Sequence, residues 1–235
     1  MYVIGIDLSK NYPAMCVSED FEHFEFIGYI NDWKMSNVNL NYVITETSKY
    51  ENVTINHIAE NSSTDSIYHV NERTKLKSFH RVVSNIVKDI RVMITHNPVI
   101  VAMEGISYGS KGSALVDICM LTGALRRALL VDVLNNDANR LFVFAPSELK
   151  NAIGLKGNAT KTEVLAQFID DPGIDAVRDT GMHRFMREHL PGDSPGEYSP
   201  ACQYVYNSKK DEVCSPFNDM IDAYLSVLKI KQNLS

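Results

Sequence analysis

The chain has 235 residues, 45% of them hydrophobic, and a net charge of −6, so it can bury a substantial core and fits one domain (1–235) with large insertions better than two. A sequence pI near 5.6 excludes a uniformly basic nucleic-acid binder, though one basic face can coexist with an acidic cluster. Four scattered cysteines without a CxxC pair exclude a disulfide scaffold and suit reduced cytoplasmic thiols, and no apolar run is long enough to cross a membrane.

Residues 2–8, apolar and β-branched, read as a buried central strand, and a chain that opens on a strand leaves no room for a signal peptide. Residues 14–17 and 21–30 read as the next two strands, and their short connections favour an antiparallel meander. Residues 32–70, rich in Asn, Ser and Thr, read as an insertion with a hairpin around 42–58. From about 73 to 95, Leu76, Phe79, Val83, Ile86, Val87, Ile90 and Ile94 recur at helical spacing, and Pro98 ends the segment. A strand over 99–103, a Gly/Ser loop over 106–112 and a helix over about 113–134 follow. Gly123 inside that helix costs about 1 kcal/mol relative to alanine, which points to a close helix contact there. Residues 141–145 form a short strand, Pro146-Ser147 opens a short helix, and 161–169 form another helix. A second insertion, rich in Pro, Gly, Asp and Ser, covers 170–216, and the last helix runs from 216 or 218 to 230. This order predicts an α/β fold: a mixed sheet with an antiparallel three-stranded start, parallel crossovers and helices on both faces, as in the RNase H-like architecture.

Four carboxylates carry the chemistry. Asp7 ends the first apolar run and Glu104 ends the run over 99–103, while Asp219 and Asp222 lie three apart on one helix face. Alone, each has an ordinary explanation: a turn residue, a structural acid, or two charges placed favourably near a helix N-terminus. Together, two acids at buried strand ends and two on one helix face make a convergent set of hard oxygen ligands, because a buried acid is costly without a compensating cation. Mg²⁺ or Mn²⁺ suits such a set, commonly to activate water against a phosphodiester.

The segment Pro146-Ser147-Glu148-Leu149-Lys150, then Gly157-Asn158-Ala159-Thr160-Lys161-Thr162-Glu163-Val164, adds specificity. With the four acids, it resembles the RuvC family of Holliday junction resolvases over residues 2–30, 73–169 and 217–230. That resemblance implies a homodimeric, Mg²⁺-dependent endonuclease (Mn²⁺ substituting, two ions per site) that cuts four-way and other branched DNA. It makes Asp7, Glu104, Asp219 and Asp222 the metal ligands and Lys150 and Lys161 catalytic contacts to the scissile phosphate. The family's aromatic wedge after the strand glutamate has no direct counterpart: the third position is Ser107, and the nearest aromatic is Tyr108. The two insertions resemble a viral or phage-type variant, which would place the protein in the host cytoplasm.

Arg73, Lys75, Lys77 and Lys111, with Lys150 and Lys161, are candidates for a DNA-binding surface that the acidic total conceals, with Tyr108 as a further DNA contact, although a run of charges is as readily a solvated face. The helix over 113–134 is the expected dimer interface. Preference for forks or flaps over four-way junctions is the nearest alternative. An actin-like or kinase-type ATP-binding protein shares the Gly-Ile-Asp start, but the late carboxylate pair opens a helix with no glycine nearby. His183, His189, Cys202 and Cys214 lack the short ligand pairs of structural zinc sites.

Overall fold

The structure, a computed structural model, describes residues 1–31, 37–58, 67–94, 97–106, 112–171, 180–190, 205–207 and 212–235. The first three strands, β1 (Tyr2–Asp7), β2 (Ala14–Ser18) and β3 (Phe24–Ile30), form the expected antiparallel meander. On one side of it β4 (Val53–His57) runs parallel to β3. On the other, β5 (Val99–Glu104) runs parallel to β1, and β6 (Leu141–Phe144) runs parallel to β5. The sheet order β4-β3-β2-β1-β5-β6 places β1 and β5 side by side at its centre. Apart from the added edge strand β4, this is the RNase H-like topology.

Period-two alternation sorts the strand residues between two cores. Ile4 and Ile6 of β1, with Val99, Val101 and Met103 of β5, pack under α2 (Tyr68–Ile94) and α3 (Ser113–Ala128). Val3 of β1, with Ile100 and Ala102 of β5, faces the opposite core, which is built around the C-terminal helix. That core also includes residues of α1 (Asn37–Thr47), α4 (Pro146–Asn151), α5 (Lys161–Asp170) and α6 (Gly181–His189). The C-terminal helix, α7 (Phe217–Leu234), is buried along most of its length and lies against β1, β2 and β5.

Three expectations change. The segment around 42–58 is α1 followed by β4, not a hairpin. Leu40, Val43 and Thr47 recur at helical spacing and are buried, so packing overrides the β-branched composition of the segment. Gly123 makes no close contact: a Cβ there would meet nothing within 4 Å. The helix over 113–134 is regular only to Ala128 and widens into a π-helical turn over Leu129–Val133. The second insertion contains α6 and a small hairpin of β7 (Tyr206–Asn207) and β8 (Glu212–Val213).

Candidate active site

Asp7 and Glu104 are brought together by strand register. Ile6 pairs with Met103 on the adjacent parallel strands, so the next residues, Asp7 and Glu104, end neighbouring strands side by side. Alternation turns both toward α7. The helix approaches unusually closely because β1 carries a glycine: a Cβ on Gly5 would overlap the backbone carbonyl of Ala223. Asp222, the residue before Ala223, thereby lands beside the strand ends. Carboxylate oxygens of Asp7, Glu104 and Asp222 all lie within 4.8 Å of one another.

Asp219 sits in the first turn of α7 and is 6% exposed. It is hydrogen-bonded to the side chains of Asp7 and Ser215, yet its Oδ2 is buried without a partner. Asn218 Nδ2 donates to Asp222 Oδ2 at 3.3 Å. All four acids line one pocket of about 470 Å³, whose wall also includes Lys161.

The electrostatics follow from this crowding. Burial, then repulsion from Asp219, Asp222 and Glu104, pushes the Asp7 carboxyl well above the usual range. Burial, then Glu104 and Asp219, pushes Asp222 up to about 8. Burial raises Glu104 and Asp219, against the opposing positive charge of Lys150 and Lys161 on Glu104 and of Lys161 on Asp219. Four crowded acids, one with an orphaned buried oxygen, form an all-oxygen donor set that fits hard divalent cations, whose charge would offset their mutual repulsion.

A pH dependence follows. Because its pKa is raised from 3.8 to about 8 on folding, protonated Asp222 contributes stability that is fully present below 3.8 and lost as pH rises through about 8. The melting temperature in EDTA is expected to fall from pH 5 to pH 9, and Mn²⁺ should raise it more at pH 8.5 than at pH 6. Thermal melts with and without Mn²⁺ measure both trends. Equal metal-induced shifts at the two pH values would contradict the described crowding.

No known protein family's sequence profile matches the chain, and no curated protein matches it by sequence. Solved structures do. Thermus thermophilus RuvC superposes with a TM-score of 0.41 at 16% identity, covering 80% of this chain and 95% of that one. The same protein in complex with a Holliday junction substrate gives 0.40 at 16% identity, covering 80% and 94%. The yeast mitochondrial Holliday junction resolvase Ydc2 gives 0.42 at 14% identity, covering 97% and 76%. In structure, the chain resembles RuvC and Ydc2.

The basic residues separate by position. Lys161 is the first residue of α5 and reaches the acidic pocket. Lys150, at the end of α4, donates instead to the carbonyl of Ala159 at 2.6 Å. Arg73 and Lys77 line a shallow groove along α2 with His80 and Arg81, away from the acids. Lys75 is engaged within the chain, pairing with Glu72 at 2.8 Å and with Asp117 of α3 at 3.3 Å. Tyr108 and Lys111 lie outside the described residues.

Other pocket residues were not anticipated, Lys10 and Thr122 among them. Lys10 lines the pocket and pairs with Asp117 at 3.1 Å. Its position just after β1 was the available signal. Thr122, 3% exposed, lies on the stripe Ala114, Ile118, Thr122 that α3 turns toward the acids. The i, i+4 spacing was visible, but the direction it faces was not. The zinc candidates serve other contacts: His183 Nε2 meets the carbonyl of Ile169 at 2.8 Å, and His189 Nε2 lies 3.2 Å from the Tyr50 hydroxyl. Cys202 lies outside the described residues. No described helix is long and apolar enough to cross a membrane.

Proposed function

We propose that this protein is a metal-dependent, structure-specific DNA endonuclease that resolves four-way junctions by phosphodiester hydrolysis. The observation that carries the reading is the convergence of Asp7, Glu104, Asp219 and Asp222 in one pocket with Lys161 in its wall. The preference for junctions rests on the motif resemblance in the sequence. Two Mg²⁺ or Mn²⁺ ions, when bound, would supply an activated water and charge stabilisation for the leaving oxygen. The four carboxylates would hold them. Lys161 brings a fixed positive charge to the side of the pocket where a phosphate would enter.

The direct test is cleavage of matched four-way, fork and flap substrates with Mn²⁺. Paired cuts in the four-way substrate, faster than cuts in the others, support the reading. Equal rates would indicate a general branched-DNA nuclease, and no cleavage would refute the nuclease assignment. Lys161→Ala is expected to slow single-turnover cleavage by roughly 10²-fold, as for the loss of one transition-state donor, with much less change in junction affinity. Rapid-quench kinetics at saturating enzyme separates the two effects.

Paired cuts call for two copies related by a two-fold axis. The groove between α2 and α3, about 900 Å³, is the proposed seat for the second copy. Its walls include Phe79, Val83, Val87 and Ala124 together with Leu76 and Met120, which are 54% and 45% exposed. Exposed apolar side chains gathered in one groove, here bordered by Lys88, Arg91, Arg127 and Asp132, are a common mark of an interface. Met120→Glu is expected to raise the dimer Kd at least about tenfold, since it would bury an unpaired charge. Sedimentation equilibrium measures this, and an unchanged mass distribution would move the interface elsewhere.

A further inference from the structure

The connection between α4 and α5 is pinned at several points. A Cβ on Gly157 would lie 2.6 Å from the Cβ of Ser147, so the loop folds back directly onto the first turn of α4. Leu155 N–H donates to the carbonyl of Lys150 at 3.1 Å, and Gln232 of α7 donates to the carbonyl of Ala152 at 2.9 Å. The peptide between Ala159 and Thr160 is held at both edges. Its carbonyl accepts from Lys150 Nζ at 2.6 Å, and its N–H donates to Glu163 Oε2 at 2.6 Å. A cation sits at the negative end of this peptide dipole and an anion at the positive end, so the two charges hold one plane from opposite edges. Charge-assisted bonds of this kind are short and stronger than neutral ones.

That plane sets where α5 begins. Thr160 is the N-cap, with its hydroxyl accepting from Glu163 N–H at 3.2 Å, and Lys161 is the first helical residue. Lys161 lines the acidic pocket, whereas Lys150 does not, although its charge also bears on Glu104. On the nuclease reading above, we infer that Lys150 is a positioning residue: with Glu163 it clamps the Ala159–Thr160 peptide and so fixes Lys161 in the pocket wall, instead of itself meeting the phosphate. This departs from the phosphate-contact role that the sequence resemblance implies for Lys150.

The clamp can be read without DNA. In the free protein, Lys150→Met is expected to speed amide exchange at Thr160 and the following turn at least about tenfold, since one stabilising hydrogen bond is lost, with β1 amides unchanged. Glu163→Ala removes the acceptor at the other edge of the same peptide, at an exposed position, and should loosen the same amides, which keeps the test decisive if Lys150→Met folds poorly. In single-turnover cleavage, Lys150→Met should lose roughly tenfold or more. The loss should be non-additive with Lys161→Met, because residues acting as a unit do not sum, and Lys150→Arg should restore part of it. The slope of log affinity against log salt should stay the same.

Unchanged exchange in both variants would overturn the clamp. So would a salt slope reduced by about 0.9, the signature of one lost phosphate contact on duplex DNA, together with rate losses that multiply. If the wild-type protein cuts no branched DNA, the nuclease reading falls, and amide exchange alone decides whether the clamp exists.

Discussion

Asp7→Asn and Asp222→Asn are expected to abolish cleavage and, in the absence of metal, to make the protein more stable. The two signs have one cause. A divalent ion in such a site supplies several kcal/mol of transition-state charge stabilisation, so losing a ligand should slow the reaction by about 10³-fold or more. Without the ion, the same carboxylates are buried and repel one another, which raises both Asp7 and Asp222. An amide removes that repulsion and can still hydrogen-bond to Asp219 from position 7. For a chain of this length, each kcal/mol of repulsion removed should raise the melting temperature by roughly 2–4 °C. Melts in EDTA at pH 8 should therefore rise while the Mn²⁺-induced shift disappears. A wild-type cleavage rate in either variant would sink the metal-ligand assignment. A lower metal-free melting temperature would show that the lost activity came from damage to the fold.

The candidate ligands were legible from where they stood in their elements. Asp7 and Glu104 close apolar runs, and Asp219 and Asp222 share a helical face, so pattern alone placed them near the functional edge of the sheet. Their convergence needed two facts that pattern does not contain: the Ile6–Met103 register and the seating of α7 on Gly5. The missed helix α1 has Asn, Thr and β-branched residues that resemble strand and loop composition. Only burial of Leu40, Val43 and Thr47 on one side decides in favour of a helix. The pairing of Lys75 was not legible because its main partner outside its own helix, Asp117, is 42 residues away in sequence. The bond of Lys150 was hidden for a related reason, since a bond from a side chain to the carbonyl of Ala159 depends on how a nine-residue segment folds.

The second large effect lies at Gly5, where fold and site meet. Gly5→Ala is expected to cost about 3 kcal/mol, the upper end of the range for overpacking a well-filled core. The reason is specific: the new methyl would collide with the carbonyl of Ala223, a backbone atom that cannot rotate aside, so α7 must lift from β1. At this chain length the melting temperature should fall by roughly 6–12 °C. Lifting α7 also carries Asp219 and Asp222 away from Asp7 and Glu104, and a displacement near 1 Å at a reacting site can cost about 10²-fold. Folded Gly5→Ala protein at low temperature should therefore bind Mn²⁺ more weakly and cleave more slowly than its stability alone would dictate. Gly123→Ala provides the contrast, because a Cβ there meets nothing within 4 Å, and an exposed helical alanine should stabilise the chain by up to about 1 kcal/mol. Calorimetry and Mn²⁺ titration on the two variants measure the difference. If Gly5→Ala keeps both the melting temperature and the Mn²⁺ affinity of the parent, α7 is not seated on β1 at this glycine, and the convergence of the four acids loses its structural basis.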